Sequence, residues 1–149
     1  MLEQQLDQDL KAAMLSKDSA TVETIRGLKS ALLYAKVAAG TRDQVMPDDQ
    51  VIALLAKEAK KRQESIDLYQ KGGDMVRADK ERQEKAIIER YLPAQLGEEE
   101  ISQVVDEVLA TVESKDMSAM GKVIAEVKQR TQGAADGAVI ARIVKQRLQ

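Results

Sequence analysis

Tyr91-Leu92-Pro93-Ala94-Gln95-Leu96-Gly97 is the stretch whose reading decides how this chain folds. It holds one of only two prolines. Proline has no amide hydrogen and disfavours helix in the residue before it, so a helix that reaches Leu92 must stop there. Gly97 and the acidic run Glu98-Glu99-Glu100 then read as a fresh helix start, because carboxylates complement the positive end of the helix dipole. The break predicts a larger antiparallel helical domain over residues 1–92, a hinge at 93–96 and a three-helix domain over 97–149.

Upstream of the break the apolar residues recur at helical spacing. Leu2, Leu6, Leu10, Ala13 and Met14 predict a first helix over about 2–16, closed by the capping-rich Ser16-Lys17-Asp18-Ser19. Val22, Ile25, Leu28, Leu32 and Ala35 predict a second over about 20–39, with Gly40 as its C-cap. Gly27 lies inside that helix, either to admit a neighbour or simply tolerated at a cost of roughly 1 kcal/mol against Ala. Pro47-Asp48-Asp49 predicts the first turn of a third helix, which runs to Gly72-Gly73. Val51, Leu55, Ala59, Ile66 and Tyr69 mark its buried side, with Ile52 and Leu68 flanking. A fourth, over about 74–91, carries almost no apolar stripe in its first half, where Lys80/Glu84 and Glu81/Lys85 are expected to pair at four-residue spacing. Helices three and four together read as a long αα-hairpin with its tip in solvent.

Downstream the apolar density rises. Ile101, Val104, Val105, Val108, Leu109 and Val112 predict a helix over about 98–112. Met117, Met120, Val123, Ile124 and Val127 predict the next, capped by Asp116. Val139, Ile140, Ile143, Val144 and Leu148 predict the last, after the break Gly133-Ala134-Ala135 and with Asp136 as its cap.

Composition agrees with an all-α protein. Three tyrosines are the only aromatic residues among 149, and strand-rich domains normally draw on aromatic and β-branched side chains. Charged residues make up 32% of the chain, yet the net charge is −2, which suits exposed helix faces. Cysteine and histidine are absent, which excludes disulfides, Cys/His zinc sites, a cysteine nucleophile and a histidine base. The polar start Met1-Leu2-Glu3-Gln4-Gln5 and the lack of a roughly 20-residue apolar run predict a cytoplasmic protein outside the membrane.

Several stretches together resemble the YqeY family, also called GatB/YqeY-like proteins. They are Ile25-Arg26-Gly27-Leu28-Lys29-Ser30-Ala31-Leu32, then Lys61-Arg62 with Ser65-Ile66 and Tyr69, then Tyr91 to Leu96. The most specific are Met120-Gly121-Lys122-Val123 and Gly133-Ala134-Ala135-Asp136-Gly137. The resemblance implies an all-helical protein of two domains, the second similar to the tail of the GatB subunit of the tRNA-dependent amidotransferase. It also implies a family-level label, carbon–nitrogen ligase with glutamine as amido-N-donor, and a tRNA-contacting appendage in place of a catalytic unit.

No P-loop, Rossmann glycine motif or amidase signature is present, so no catalytic residue, metal ligand or cofactor is assigned. Residues 115–149 carry seven basic and three acidic side chains, and Lys122, Lys128, Arg130, Arg142 and Lys145 are candidate RNA-backbone contacts. No aromatic residue lies beyond Tyr91 to stack on a base, so recognition would be of backbone and shape. Arg26 and Lys29 on one helix, and Lys61, Arg62, Ser65 and Tyr69 on another, form a candidate partner or anion site if the two helices pack together. The plainer reading of each cation is a solvated or snorkelling side chain. Pro93, Gly121, Gly133, Asp136 and Gly137 are structural candidates: a hinge, a packing glycine and a capped turn. The expected partner is tRNA or a tRNA-handling enzyme; the alternative is a protein–protein adaptor that works through the helix three–four hairpin without RNA.

Overall fold

Helix α1, Leu2–Leu15, ends in a turn that sets the style of the whole chain. Its last carbonyls are closed by the Lys17 N–H on Met14 at 3.3 Å and the Asp18 N–H on Ala13 at 2.9 Å, with Lys17 in the left-handed region at φ 57°. This paired closure is the Schellman pattern. Asp18 then caps α2, Ser19–Ala38, by accepting from the Thr21 N–H at 3.2 Å and its hydroxyl at 2.7 Å. The same closure recurs at Gly40 (φ 72°) after α2 and at Gly73 (φ 76°) after α3, Asp48–Lys71, where glycine takes the conformation at little cost. Pro47 stands at the N-cap of α3, one position before the expected first turn. Helix α4, Met75–Glu89, is capped by Asp74.

The computed structural model describes residues 1–149, and all its regular elements are helical. It divides into two compact units, Met1–Leu92 and Pro93–Gln149.

In the first unit Leu6, Ile25, Leu28, Leu55 and Ile88 are fully enclosed, with Leu32, Met46, Val51 and Ala59 around them. Burying one such aliphatic side chain is worth about 1.5–3 kcal/mol. Tyr91 and Leu92 pack onto this core, and the Tyr91 hydroxyl donates to Asp9 of α1 at 2.5 Å. The start of α1 is fixed as well. The Leu2 N–H donates to Asp48 at 2.9 Å, and Glu3 accepts from the Met46 N–H at 2.7 Å and from Lys36 at 2.6 Å. Buried Thr24 turns its hydroxyl onto the Ala20 carbonyl at 2.8 Å, which satisfies a polar group that would otherwise be costly inside.

The three residues before Pro93 tighten into i→i−3 bonds: Arg90 to Ile87, Tyr91 to Ile88 and Leu92 to Glu89, at 3.1–3.3 Å. Pro93 has no N–H to continue the series.

The second unit contains α5 (Glu98–Leu109), a single 3₁₀ turn (Met117–Ala119), α6 (Met120–Thr131) and α7 (Gly137–Leu148). Its core is Ile101, Val105, Val108, Val123, Val127, Ile140, Ile143, Val144 and Leu148, with Leu96 packed against it. The Leu96 N–H donates to the Ala134 carbonyl at 2.7 Å, so the chain is bonded into this unit before α5 begins.

Several expectations fail at the level of side chains. The first half of α4 is not bare: Ala78 is fully buried, because α4 packs along α3 and also against α2. The expected pairs Lys80/Glu84 and Glu81/Lys85 do not form. Glu84 and Glu81 turn to Arg62 of α3, at 3.1 and 3.7 Å, and Lys85 bonds Gln63 at 2.8 Å and Glu89 at 3.3 Å. Cross-helix partners win because they lie in a partly desolvated seam, where charges attract more strongly than on the open surface. Gly27 and Gly121 are exposed with no atom within 4 Å of where a Cβ would stand, so neither serves packing inside the fold. Helix α5 ends at Leu109, short of Val112. Met14 and Met117, read above as part of apolar stripes, are exposed along with Met1 and Met75, while Met120 is partly buried and Met46 is buried.

Candidate functional site

Residues 93–149 carry seven basic and nine acidic side chains, a net of −2, once the acids of α5 are included. Three of the five acids of α5 are used. Arg142 of α7 bonds Glu98 at 2.6 Å, Arg147 bonds Asp106 at 3.0 Å, and Arg130 of α6 reaches Glu126 at 3.2 Å and Glu107 at 3.9 Å. Each of these pairs is well exposed, so each adds only about 0–1 kcal/mol. Their consequence is directional: three arginines lean onto α5.

The lysines do not. Lys122, Lys128 and Lys145 are exposed, and none pairs with a carboxylate. Lys115, in the turn before α6, is free in the same way. Lys128 lies across the start of α7, with Cε 3.3 Å and Nζ 3.5 Å from the place a Cβ on Gly137 would occupy. A side chain at Gly137 would ask only a small shift of the flexible end of Lys128, so the contact does not require glycine there. Next to it Asp136 accepts from the Ala138 N–H at 2.7 Å. Gly133 is required by its φ of 85°, following Gln132 at φ 47°. Two successive left-handed residues turn the chain from α6 into α7.

The candidates of the first unit separate. Lys29 is held by Asp7 of α1 at 2.5 Å, and Arg62 by Glu84 and Glu81 of α4. Lys61 pairs with Glu58 on its own helix at 3.2 Å. Ser65 is half-buried on α3, and the Tyr69 ring takes the Arg77 guanidinium at 6.0 Å, the outer limit of a cation–π contact. Arg26 stands exposed on α2. The cations of α2 and α3 therefore face different neighbours and do not converge on one anion.

Between α3 and α4 runs a groove of about 330 Å³, lined by Gln63, Ile66, Gln70, Arg82, Lys85, Ala86 and Glu89. Its polar walls already bond each other through Gln63, Lys85 and Glu89. At the tip of this hairpin Leu68, Met75 and Val76 are exposed by 69, 50 and 82%. Sequence reading placed Leu68 beside the buried stripe and passed over Met75 and Val76. No group of three or more histidine, cysteine, aspartate or glutamate side chains is placed to hold a metal ion. No helix is long and apolar enough to cross a membrane.

Fold and surface together define an all-helical protein of two units, the second of which pairs its arginines with carboxylates and leaves its lysines without them. The chain belongs to the YqeY family: the family model described as Yqey-like protein matches residues 3–148. Among curated proteins it is similar to "Altered inheritance of mitochondria protein 41, mitochondrial" of Pyrenophora tritici-repentis, 28% identical over 131 residues, which cover 84% of this chain and 70% of that protein. It is also similar to the protein of the same name from Eremothecium gossypii, 34% identical over 89 residues, 60% of this chain and 48% of the relative.

Proposed function

We propose that this protein is a non-catalytic accessory module that contacts tRNA, or an enzyme that handles tRNA, in the manner of the GatB tail it resembles. The observation that carries the reading is the set of unpaired lysines Lys115, Lys122, Lys128 and Lys145, while every arginine of the same unit is neutralised by an acid. Lysines left free in a unit of net −2 give local positive points suited to phosphates, and no aromatic platform for bases accompanies them. Binding of this kind is weak, insensitive to sequence and steeply dependent on salt. Arg130 and Arg142 would join only by exchanging a carboxylate for a phosphate. Absence of cysteine suits a reducing compartment such as the cytoplasm, and the relatives' names carry the word mitochondrial.

The test is a titration of the full chain with tRNA across a salt series. Affinity is expected to fall as salt rises. The triple variant Lys122→Gln, Lys128→Gln, Lys145→Gln is expected to flatten the salt slope by about 2, from roughly 0.7 per phosphate contact on a single strand. Absence of binding at low salt overturns the reading.

The exposed Leu68, Met75 and Val76 favour a second reading, a protein adaptor that works through the α3–α4 hairpin. It predicts that Leu68→Glu with Val76→Glu removes captured partners while tRNA binding persists. An unchanged set of partners counts against it.

A further inference from the structure

The turn from α1 into α2 combines an apolar tip with a collar of free cations. Leu15, the last residue of α1, is 86% exposed, more than any other large apolar side chain, and Met14 beside it is 51% exposed. No apolar residue follows for Leu15 to fold onto, because the next four are Ser16-Lys17-Asp18-Ser19. The paired bonds from Lys17 and Asp18 fix the turn in one shape, so the tip is presented already ordered. Upstream, the open side of α1 is polar. Gln4, Gln8 and Lys11 are exposed at helical spacing, and only the final turn is apolar.

Three cations surround this tip. Lys11 stands three and four residues before Met14 and Leu15, on the same side of α1. Lys17 is exposed in the turn itself. Arg90, exposed after α4, lies close by. The Asp18 carboxyl is held below its ordinary range by hydrogen bonds from the Thr21 hydroxyl and N–H and, less strongly, by the Arg90 charge. None of the three cations pairs with a carboxylate, because the acids around them are engaged elsewhere. Asp9 bonds Gln5 and Tyr91, Asp18 caps α2 through Thr21, Glu23 meets Lys80, and Glu89 meets Lys85.

We propose that this turn docks the protein on an anionic lipid bilayer, with Leu15 and Met14 entering the interface and Lys11, Lys17 and Arg90 meeting the headgroup phosphates. The unpaired cations select a negative surface, and the apolar tip says which kind. A phosphate backbone of nucleic acid would satisfy the cations and leave Leu15 in water. A protein partner would need a pocket matched to one projecting leucine, whereas a bilayer accepts it at any point of its surface. Because α1 is polar on its open side up to the last turn, it meets the bilayer end-on and does not lie in its plane. The contact is peripheral, as no helix is long and apolar enough to cross a membrane. Each cation near an anionic surface is worth about fivefold in affinity, so the docking is reversible and sensitive to salt.

The experiment is co-sedimentation of the full chain with phosphatidylcholine vesicles, alone or with about one-third phosphatidylglycerol. The wild type should bind the anionic vesicles, release them as salt rises, and ignore the neutral ones. Met14→Ser with Leu15→Ser should weaken partition by about tenfold or more, and Lys11→Gln with Lys17→Gln by about twentyfold. Insertion can be read directly, because the chain has no tryptophan and Leu15→Trp is then a single reporter. Its emission should shift to the blue on anionic vesicles and be quenched by lipids brominated along the acyl chain. Tyr34→Trp on α2 should do neither. Absence of binding to anionic vesicles at low salt overturns the proposal. So does a Leu15→Trp emission that stays unshifted on them. So does binding that survives the tip variants and is lost with Lys122→Gln, Lys128→Gln, Lys145→Gln.

Discussion

Glu3 illustrates what single residues settle here. Its burial alone would raise its pKa, but the Lys36 ammonium and the Met46 N–H outweigh that and hold the carboxyl below its ordinary 4.5. A depressed folded pKa means stabilisation present above the unfolded value and lost as pH falls through the folded one. Glu3→Gln is therefore expected to cost about 1.5–3 kcal/mol at pH 7, the worth of hydrogen bonds to a charged group, and progressively less as pH falls below about 4. Urea denaturation at the two pH values reads the difference; equal costs would refute the assignment. Lys17 points the other way. It occupies the left-handed closing position that Gly40 and Gly73 fill elsewhere, where a side chain is disfavoured by roughly 1–2 kcal/mol. Lys17→Gly is expected to stabilise the first unit by up to about 1 kcal/mol, after the wider freedom of glycine in the unfolded chain is subtracted, as a rise in the urea midpoint. The capping acids Asp18, Asp116 and Asp136 were legible in sequence, because short polar side chains before an apolar period have few other uses, whereas Asp74 was missed because the start of α4 has little apolar period to mark it. Lys17 was not, because αL occupancy by lysine follows from the turn's hydrogen bonds and has no residue signature.

At the scale of elements, the order of all seven α-helices could be read from apolar spacing and from glycine and proline, whereas α5 stops at Leu109, short of 112, and Met117 lies in a 3₁₀ turn before α6. What could not be read is which charges meet. Helix α4 looks self-sufficient as a string of alternating charges, yet Glu81 and Glu84 spend them on Arg62 of α3, and fully buried Ala78 lets the first half of α4 sit down. Local pairing rules give few tenths of a kcal/mol, so any partner offered by a neighbouring helix in a drier seam overrides them. Arg62→Ala is expected to cost about 2 kcal/mol, since it strands two half-buried carboxylates; adding Glu81→Gln and Glu84→Gln should recover much of that loss. Denaturant midpoints of the three variants measure the coupling, and simple additivity would show that the seam is only a crystal of convenience between solvated groups.

For the molecule as a whole, each core closes on its own residues: one drawn from 2–92, the other from 96–148. Residues 93–149 expressed alone are expected to keep helical circular dichroism and a cooperative thermal transition; a featureless melt would show dependence on the rest of the chain. The candidate site was less legible than the fold. A count of basic residues over 115–149 suggested a positive surface, and only tertiary structure shows that α5 lends its acids to the arginines and leaves the lysines free. The set Arg26, Lys29, Lys61, Arg62, Ser65 and Tyr69 shared a helical rhythm, but rhythm does not say which way each helix turns.

The bond from Tyr91 to Asp9 spans 82 positions of sequence. A chain emerging from a ribosome therefore offers α1 its last partner only when the first unit is almost completely made, roughly 5–20 s after synthesis begins at about 5–20 residues per second. Until then the side of α1 that receives Tyr91 and Leu92 faces water, and a nascent chain halted just short of Pro93 would present that surface to whatever attends translation.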